Sequence, residues 1–283
     1  MLIPTEIDRK RMDRLSGKNK IVDQILSEKN KKFFLISGYG GTGKTVALLK
    51  IANKSYQDKR SRTLFLTYNH ALASDVKRLM TLMNMPTNSD DGGIAIETSM
   101  SFMYRWFSKL NLLEEDEDLN FDKYNKLCDE VIEMIKGKAI THSDIEEIVT
   151  NYNDYFDFDQ IFVDEGQDWP LNETSILKYI YHDKTIVVAD GVDQLTRGKK
   201  VNWLDGVDKK IIDVYPLKKC LRMKRNLSIF AKHFSDNAEL GWNIEANNDA
   251  PGGKIIITTN SYDSNQPLHD QLVNELKTSK NEK

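Results

Sequence analysis

Two spacings of apolar residues alternate along this chain. Short β-rich runs at 33–37, 63–67, 93–98, 160–163, 185–189 and 211–215 read as strands. Several of them, such as IFV and TIVVA, lack polar alternation, which suits strands covered on both faces of a parallel sheet. Between the runs, apolar positions recur three and four residues apart, predicting helices over 18–27, 46–55, 70–84, 101–110, 124–136 and 226–234. This alternation predicts an α/β fold with right-handed crossovers between parallel strands. The rhythm breaks from about residue 104 to 156, where the chain is polar and helical, carries an acidic patch at 114–118, and offers no buried strand. That stretch reads as a helical insertion. After Asp236 the composition turns to Asn, Asp and Gly, as in a linker, before one more strand at 254–259 and a helix at 268–277. The expected division is therefore a principal α/β domain over 1–103 and 157–235, a helical insertion over 104–156, and a linker with one strand and one helix over 236–283.

Composition narrows the function. The chain has 283 residues, enough for one large or two ordinary domains, and 40% of them are apolar. A net charge of −3 provides no global basic field, so any nucleic-acid binding must come from a local groove. Cys128 and Cys220 are too few and too far apart for a disulfide framework or a zinc site. The N-terminus lacks the apolar stretch of a secretory signal, and no run approaches the length of a membrane span. A soluble, cytoplasmic protein without a membrane partner is expected.

The candidate chemistry starts at Gly38-Tyr39-Gly40-Gly41-Thr42-Gly43-Lys44-Thr45, directly after the first strand. It matches the phosphate-loop pattern G-x-x-x-x-G-K-[ST]. Gly38, Gly40, Gly41 and Gly43 let backbone N–H groups, with Thr42, close around phosphates. Lys44 reaches the β- and γ-phosphates, and the Thr45 hydroxyl ligates Mg²⁺. The helix that follows turns its positive dipole end toward the anion. A second strand runs into Asp164-Glu165-Gly166-Gln167-Asp168. There Asp164 is expected to hold Mg²⁺ and Glu165 to orient or deprotonate a water. The implied cofactors are ATP and Mg²⁺.

DEGQD resembles the DEAQD motif of the UvrD/Rep/PcrA-type superfamily 1 DNA helicases, and other segments follow that family's order. LFLTYNHALASDVKRLM resembles motif Ia; IETSMSFMYRWF resembles the Thr-x-His-Ser-Phe motif; VVADGVDQL resembles motif III; CLRMKRNLSIFAKHF resembles motif IV. The resemblance implies a RecA-like P-loop NTPase fold, with a central, mostly parallel sheet flanked by helices. It implies Lys44 and Glu165 in catalysis, Gln194 at the γ-phosphate or attacking water, Gln167 in the same coupling, and Arg222 neutralising charge on the γ-phosphate. Single-stranded DNA is the implied partner, RNA remaining open, with Tyr68 stacking on a base and Thr67, Asn69, His70 and Thr98 near the phosphates. Trp169 reads as a packing residue in preference to a stacking one.

The pattern also departs from that family. Asn19 stands where an adenine-reading Gln is expected, Met100 replaces the His of Thr-x-His-Ser-Phe, and Asp190 and Gln194 are one residue further apart than usual. Only one strand and one helix stand where a second RecA-like domain begins in the family. The expectation is a truncated helicase, a chain completed by a partner subunit, or a lone ATP-binding switch. A competing reading is a nucleotide-gated module that docks a nuclease or another effector protein.

Overall fold

All six apolar runs become strands of one sheet in the computed structural model, which describes residues 3–17, 19–88, 91–113, 121–192, 201–253, 255 and 266–279. They are β1 Phe33–Gly38, β2 Arg62–Thr67, β3 Gly93–Thr98, β4 Gln160–Val163, β5 Thr185–Gly191 and β6 Ile212–Leu217. Their order is β3-β2-β4-β5-β1-β6, and every neighbouring pair is parallel. This is the α/β RecA-like fold expected, with β1 and β5 lying inside the sheet and β6 at its edge. Pro216 is tolerated in β6 because an edge strand has one unpaired row of backbone groups.

The apolar runs need two covers because alternate residues face opposite sides. Phe34 and Ile36 of β1 join Phe65, Phe162 and Val187 in one core. That face is covered by α2 (Lys20–Ser27), α3 (Lys44–Lys59) and α4 (His70–Leu82) through residues such as Val22, Leu48, Ile51, Val76 and Leu79. Phe33 and Leu35 join Leu64, Leu66, Ile161, Val163 and Val188 in the other. There the cover is α5 (Ser99–Lys109), α6 (Phe121–Lys136), α7 (His142–Asn151), α8 (Asn153–Phe156) and α9 (Leu171–Ile180). Most of the helices between β3 and β4 therefore share the sheet's own core, with Phe102, Trp106, Tyr124, Ile145 and Phe156 all buried in it. Each large side chain buried there contributes about 1.5–3 kcal/mol.

Two helices depart from the periodicity reading. In the helix α1, Glu6–Ser16, seven of the eleven residues are charged, and the three apolar ones are too few to announce it. It is held by a capping box, in which the Thr5 side chain accepts from the Asp8 N–H and the Asp8 carboxylate accepts from the Thr5 N–H. The helix α9 begins after Pro170 and is rich in Asn, Thr and Ser, which masks Ile176, Leu177 and Ile180 as a buried face.

The described chain divides into two units, Met1–Arg222 and Met223–Lys283. In the second, α10 (Arg225–Asn237) carries an Asn- and Gly-rich return segment. Arg225 N–H donates to the Ala250 carbonyl at 2.7 Å, and Asn247, itself buried, donates to the Ser228 hydroxyl and the Met223 carbonyl. The helix α11, Gln266–Ser279, covers the expected 268–277. The expected strand at 254–259, the acidic patch at 114–118 and Gln194 lie outside the described residues. No described helix is long and apolar enough to cross a membrane.

Candidate functional site

Parallel strands deliver their C-terminal ends to one edge of the sheet, so segments distant in sequence meet there. The turn after β1 closes through two glycines in positive φ, Gly41 at 76° and Gly43 at 93°. Gly43 is the N-cap of α3, which places the helix N-terminus, with its unpaired N–H groups, at the loop. Space is as tight as the dihedrals demand. A Cβ on Gly38 would meet the Leu217 carbonyl at 2.7 Å, and one on Gly41 would meet the Arg222 side chain at 2.8 Å.

The segment after β6 locks this loop from outside. Cys220 Sγ donates to the Gly40 carbonyl at 3.1 Å and Leu221 N–H donates to the Gly41 carbonyl at 2.8 Å. Thr42 Oγ1 donates to the Tyr39 carbonyl at 2.9 Å. Lys44 lies inside, its ammonium donating to the carbonyls of Gly38 at 2.9 Å and Tyr39 at 3.3 Å. Burial pulls the Lys44 pKa below its usual value, with Arg222 adding to that; the carboxylates of Glu165, Asp164 and Asp190 oppose it.

Across the sheet edge, β4 ends in Asp164, and Thr45 Oγ1 donates to Asp164 Oδ2 at 2.8 Å. Residues 119 positions apart are thus in direct contact. Burial, and then the neighbouring Glu165 carboxylate, push the Asp164 carboxyl up to about 6. The bonds from Thr45 and the Glu165 N–H, and the charge on Lys44, offset part of that. A buried carboxylate short of positive charge, beside a hydroxyl, is a donor set for a small hard cation. Among the described residues no group of three or more His, Cys, Asp or Glu forms a metal cluster, so such an ion would need oxygens from a ligand as well.

Glu165 adopts φ 51°, a left-handed conformation that costs a non-glycine residue energy and is frequent where a side chain must be aimed. The aim is maintained by Gln167, whose Nε2 donates to Glu165 Oε2 at 2.8 Å while its Oε1 accepts from the Gly191 N–H at 2.6 Å. Gln167 thereby ties Glu165 to the end of β5, the strand between β1 and β4. A Cβ on Gly191 would strike the Gln167 amide at 2.7 Å. Trp203 Nε1 donates to the Gly166 carbonyl at 2.8 Å, and Trp169 is buried edge-on against the Trp203 ring. Trp169 is thus a packing residue.

A cleft of about 180 Å³ opens at this edge, lined by Gly40, Gly41, Gly43, Lys44, Thr45, Glu165 and Arg222. The structure therefore gathers the expected loop, lysine, hydroxyl, carboxylates and Arg222. It also brings in Arg11 and Arg14 of α1, which no motif marks; the Thr5-to-Asp8 capping pattern was the signal that could have found their helix.

The five residues expected at nucleic acid cluster separately. Thr67 and Thr98 are register partners at the ends of β2 and β3, about 14 Å and about 19 Å along the sheet edge from β1 at ~4.8 Å per strand. Thr98 caps α5, Asn69 caps α4, and Thr67 Oγ1 donates to the Asn69 carbonyl, so these three side chains shape the edge. Tyr68 is half-buried and His70 exposed.

The family model described as "Schlafen group 3, DNA/RNA helicase domain" matches residues 31–226, from just before β1 into the start of α10. No curated protein matches the chain. Among solved structures, the chain is similar to "Crystal structure of FlhF complexed with GTP/Mg(2+)" at 17% identity, covering 70% of this chain and 79% of that one, with a TM-score of 0.21.

Proposed function

The chain belongs to the Schlafen group 3 DNA/RNA helicase domain family, and from that premise we propose that it binds and hydrolyses ATP as the core of a superfamily 1 type helicase machine acting on single-stranded nucleic acid. The observation that carries this reading is the Thr45–Asp164 hydrogen bond, which joins the phosphate loop to the acidic strand end at one cleft. Lys44 exchanges its loop carbonyls for the β- and γ-phosphates, and the α3 N-terminus adds its backbone N–H groups. Thr45 and Asp164 would hold Mg²⁺, whose charge would offset that of the phosphates. Glu165, aimed by Gln167, takes the proton of the attacking water. Arg222 stabilises charge growing on the γ-phosphate.

The nucleic acid lies across the ends of β2 and β3, where Tyr68 provides a stacking face. Gln167 links Glu165 to β5, so hydrolysis is sensitive to how the sheet edge is held. Translocation in this reading needs a second RecA-like lobe.

The test is ATP turnover with and without single-stranded DNA. Turnover should rise on adding DNA; Lys44→Ala should lose nucleotide binding, and Glu165→Gln should bind ATP but turn it over at least 100-fold more slowly, as for loss of a general base. A folded protein with ordinary ATP affinity and no response to DNA or RNA strands would remove the nucleic-acid half of the proposal.

A further inference from the structure

We infer that α1 is part of the nucleotide site, with Arg11 and Arg14 binding the phosphate chain alongside Lys44 and Arg222. The inference rests on the nucleotide-binding reading above and adds to it two guanidinium groups that lie outside every motif.

Helix α1 packs Met12 against the core on the α2–α4 face, and directed polar contacts fix it at both ends. At its start, Asp8 is buried, accepts from Arg78 of α4 at 2.9 Å, and has its carboxyl held down to about 2 by that arginine and by Thr5. Further along, Arg11 donates to Asp75 of α4 at 2.6 Å. Near its end, Arg14 donates to the Leu221 carbonyl at 3.0 Å, and the Leu221 N–H in turn donates to the Gly41 carbonyl of the phosphate loop. A single residue thus separates the Arg14 guanidinium from the loop backbone.

Both arginines line the same small cleft as Lys44, Thr45, Glu165 and Arg222. Its cationic side chains are therefore Arg11, Arg14, Lys44 and Arg222, against the carboxylates of Asp75 and Glu165. A guanidinium presents five N–H donors in a planar fork, and the contacts described use one on each of Arg11 and Arg14. The remaining donors suit phosphate oxygens, which a guanidinium can engage in pairs. Because Asp75 and Arg78 belong to α4, whose N-cap is Asn69 at the β2 end, α1 also links the phosphate cleft to the edge proposed for nucleic acid.

A merely structural α1 would give a different result from a phosphate-binding one. The affinity of a fluorescent ATP analogue is measured for the unaltered protein and for Arg11→Ala, Arg14→Ala, Arg14→Lys and Arg9→Ala, each at low and high salt, with melting curves as a check on folding. Arg9 is an exposed residue of the same helix outside the cleft and should leave affinity unchanged. Arg11→Ala and Arg14→Ala should each weaken binding by about 10-fold or more, the usual value of a charge-assisted bond, and should flatten its salt dependence. Arg14→Lys should fall between Arg14→Ala and the unaltered protein.

If the alanine variants fold and bind as the unaltered protein does, the inference fails while the nucleotide reading stands. It fails equally if they lose affinity with no change in salt dependence, since the effect then passes through structure. Should Arg14→Ala not fold, Arg11→Ala decides by the same criteria and Arg14→Lys by affinity alone, since lysine keeps the charge. A folded, unaltered protein that takes up no ATP analogue would overturn the nucleotide reading, and this inference with it.

Discussion

Asp164→Asn removes a negative charge that the folded chain keeps at a cost. The Asp164 carboxyl is almost wholly buried and titrates at about 6, against the usual 3.8, because burial and the adjacent Glu165 disfavour its ionised form. The gap between those values is worth about 3 kcal/mol, at 1.36 kcal/mol for each tenfold change in proton affinity. A carboxyl whose pKa is raised by folding stabilises the native state while it is protonated. That contribution is complete below about pH 3.8 and is lost as the pH rises through about 6. At about pH 8, without nucleotide and with chelator present, Asp164→Asn should therefore melt above the unaltered protein. Asparagine has one oxygen where Asp164 accepts from both Thr45 and the Glu165 N–H, so the gain is about 3 kcal/mol less the cost of the lost bond and of burying the amide, at most about 10 °C in Tm for a chain of this size. Near pH 4 the two melting temperatures should converge, since Asp164 is then mostly protonated in the native state. Magnesium with ATP should stabilise the unaltered protein far more than the variant, reversing the order. Calorimetry or dye-based melting from about pH 4 to pH 8 reads all of this. A variant that melts at or below the unaltered protein at pH 8, or a gap that does not shrink on acidification, would refute the electrostatic account of this site.

Gly191→Ala should push the Gln167 amide off the β5 end, because the new Cβ would stand 2.7 Å from it; turnover should fall about 10-fold or more with KM little changed, and an unaltered kcat would show that Gln167 does not aim Glu165. Tyr68→Ala should weaken single-stranded DNA binding by about 1–3 kcal/mol while leaving ATP affinity intact, measurable by fluorescence anisotropy; equal binding would exclude stacking there. Trp203→Phe removes the donor to the buried Gly166 carbonyl and should cost about 1–3 kcal/mol in denaturant unfolding, with little change in m. Trp106→Ala, in the centre of the core shared by β-sheet and inserted helices, should cost about 3–5 kcal/mol; a smaller loss would mean those helices are not integral to the domain.

Much of the fold was legible residue by residue. The inner strands are legible because a strand covered on both faces is a continuous apolar run, whereas the edge strand β6 is half-exposed and interrupted by Asp213; β3 and β4 match the expected limits while the other four differ by one or two residues. The phosphate loop was legible for the same local reason, since its glycines answer to dihedrals and spacing within eight residues. The position of helix α1 is hard to read because Asp8–Arg78, Arg11–Asp75 and Arg14–Leu221, which help to fix it, reach partners up to 207 positions away. Gln167 is expected near the nucleotide, and Glu165, two residues before it, lines the cleft. That its amide would bridge Glu165 to Gly191 depended on β5 lying beside β4, which no local pattern states.

Read alone, the chain determined which segments would be strands, which turn would close around phosphate, and which carboxylates would stand at a strand end. Those properties follow from backbone dihedrals and from the apolar face each residue presents, and both are local. Strand order, and with it the meeting of Thr45 with Asp164, the aim of Glu165 and the arrival of two α1 arginines at the cleft, was decided only by tertiary structure. Charge interactions and hydrogen bonds act through space at a few ångströms, so their partners are set by how the layers pack, irrespective of separation along the chain.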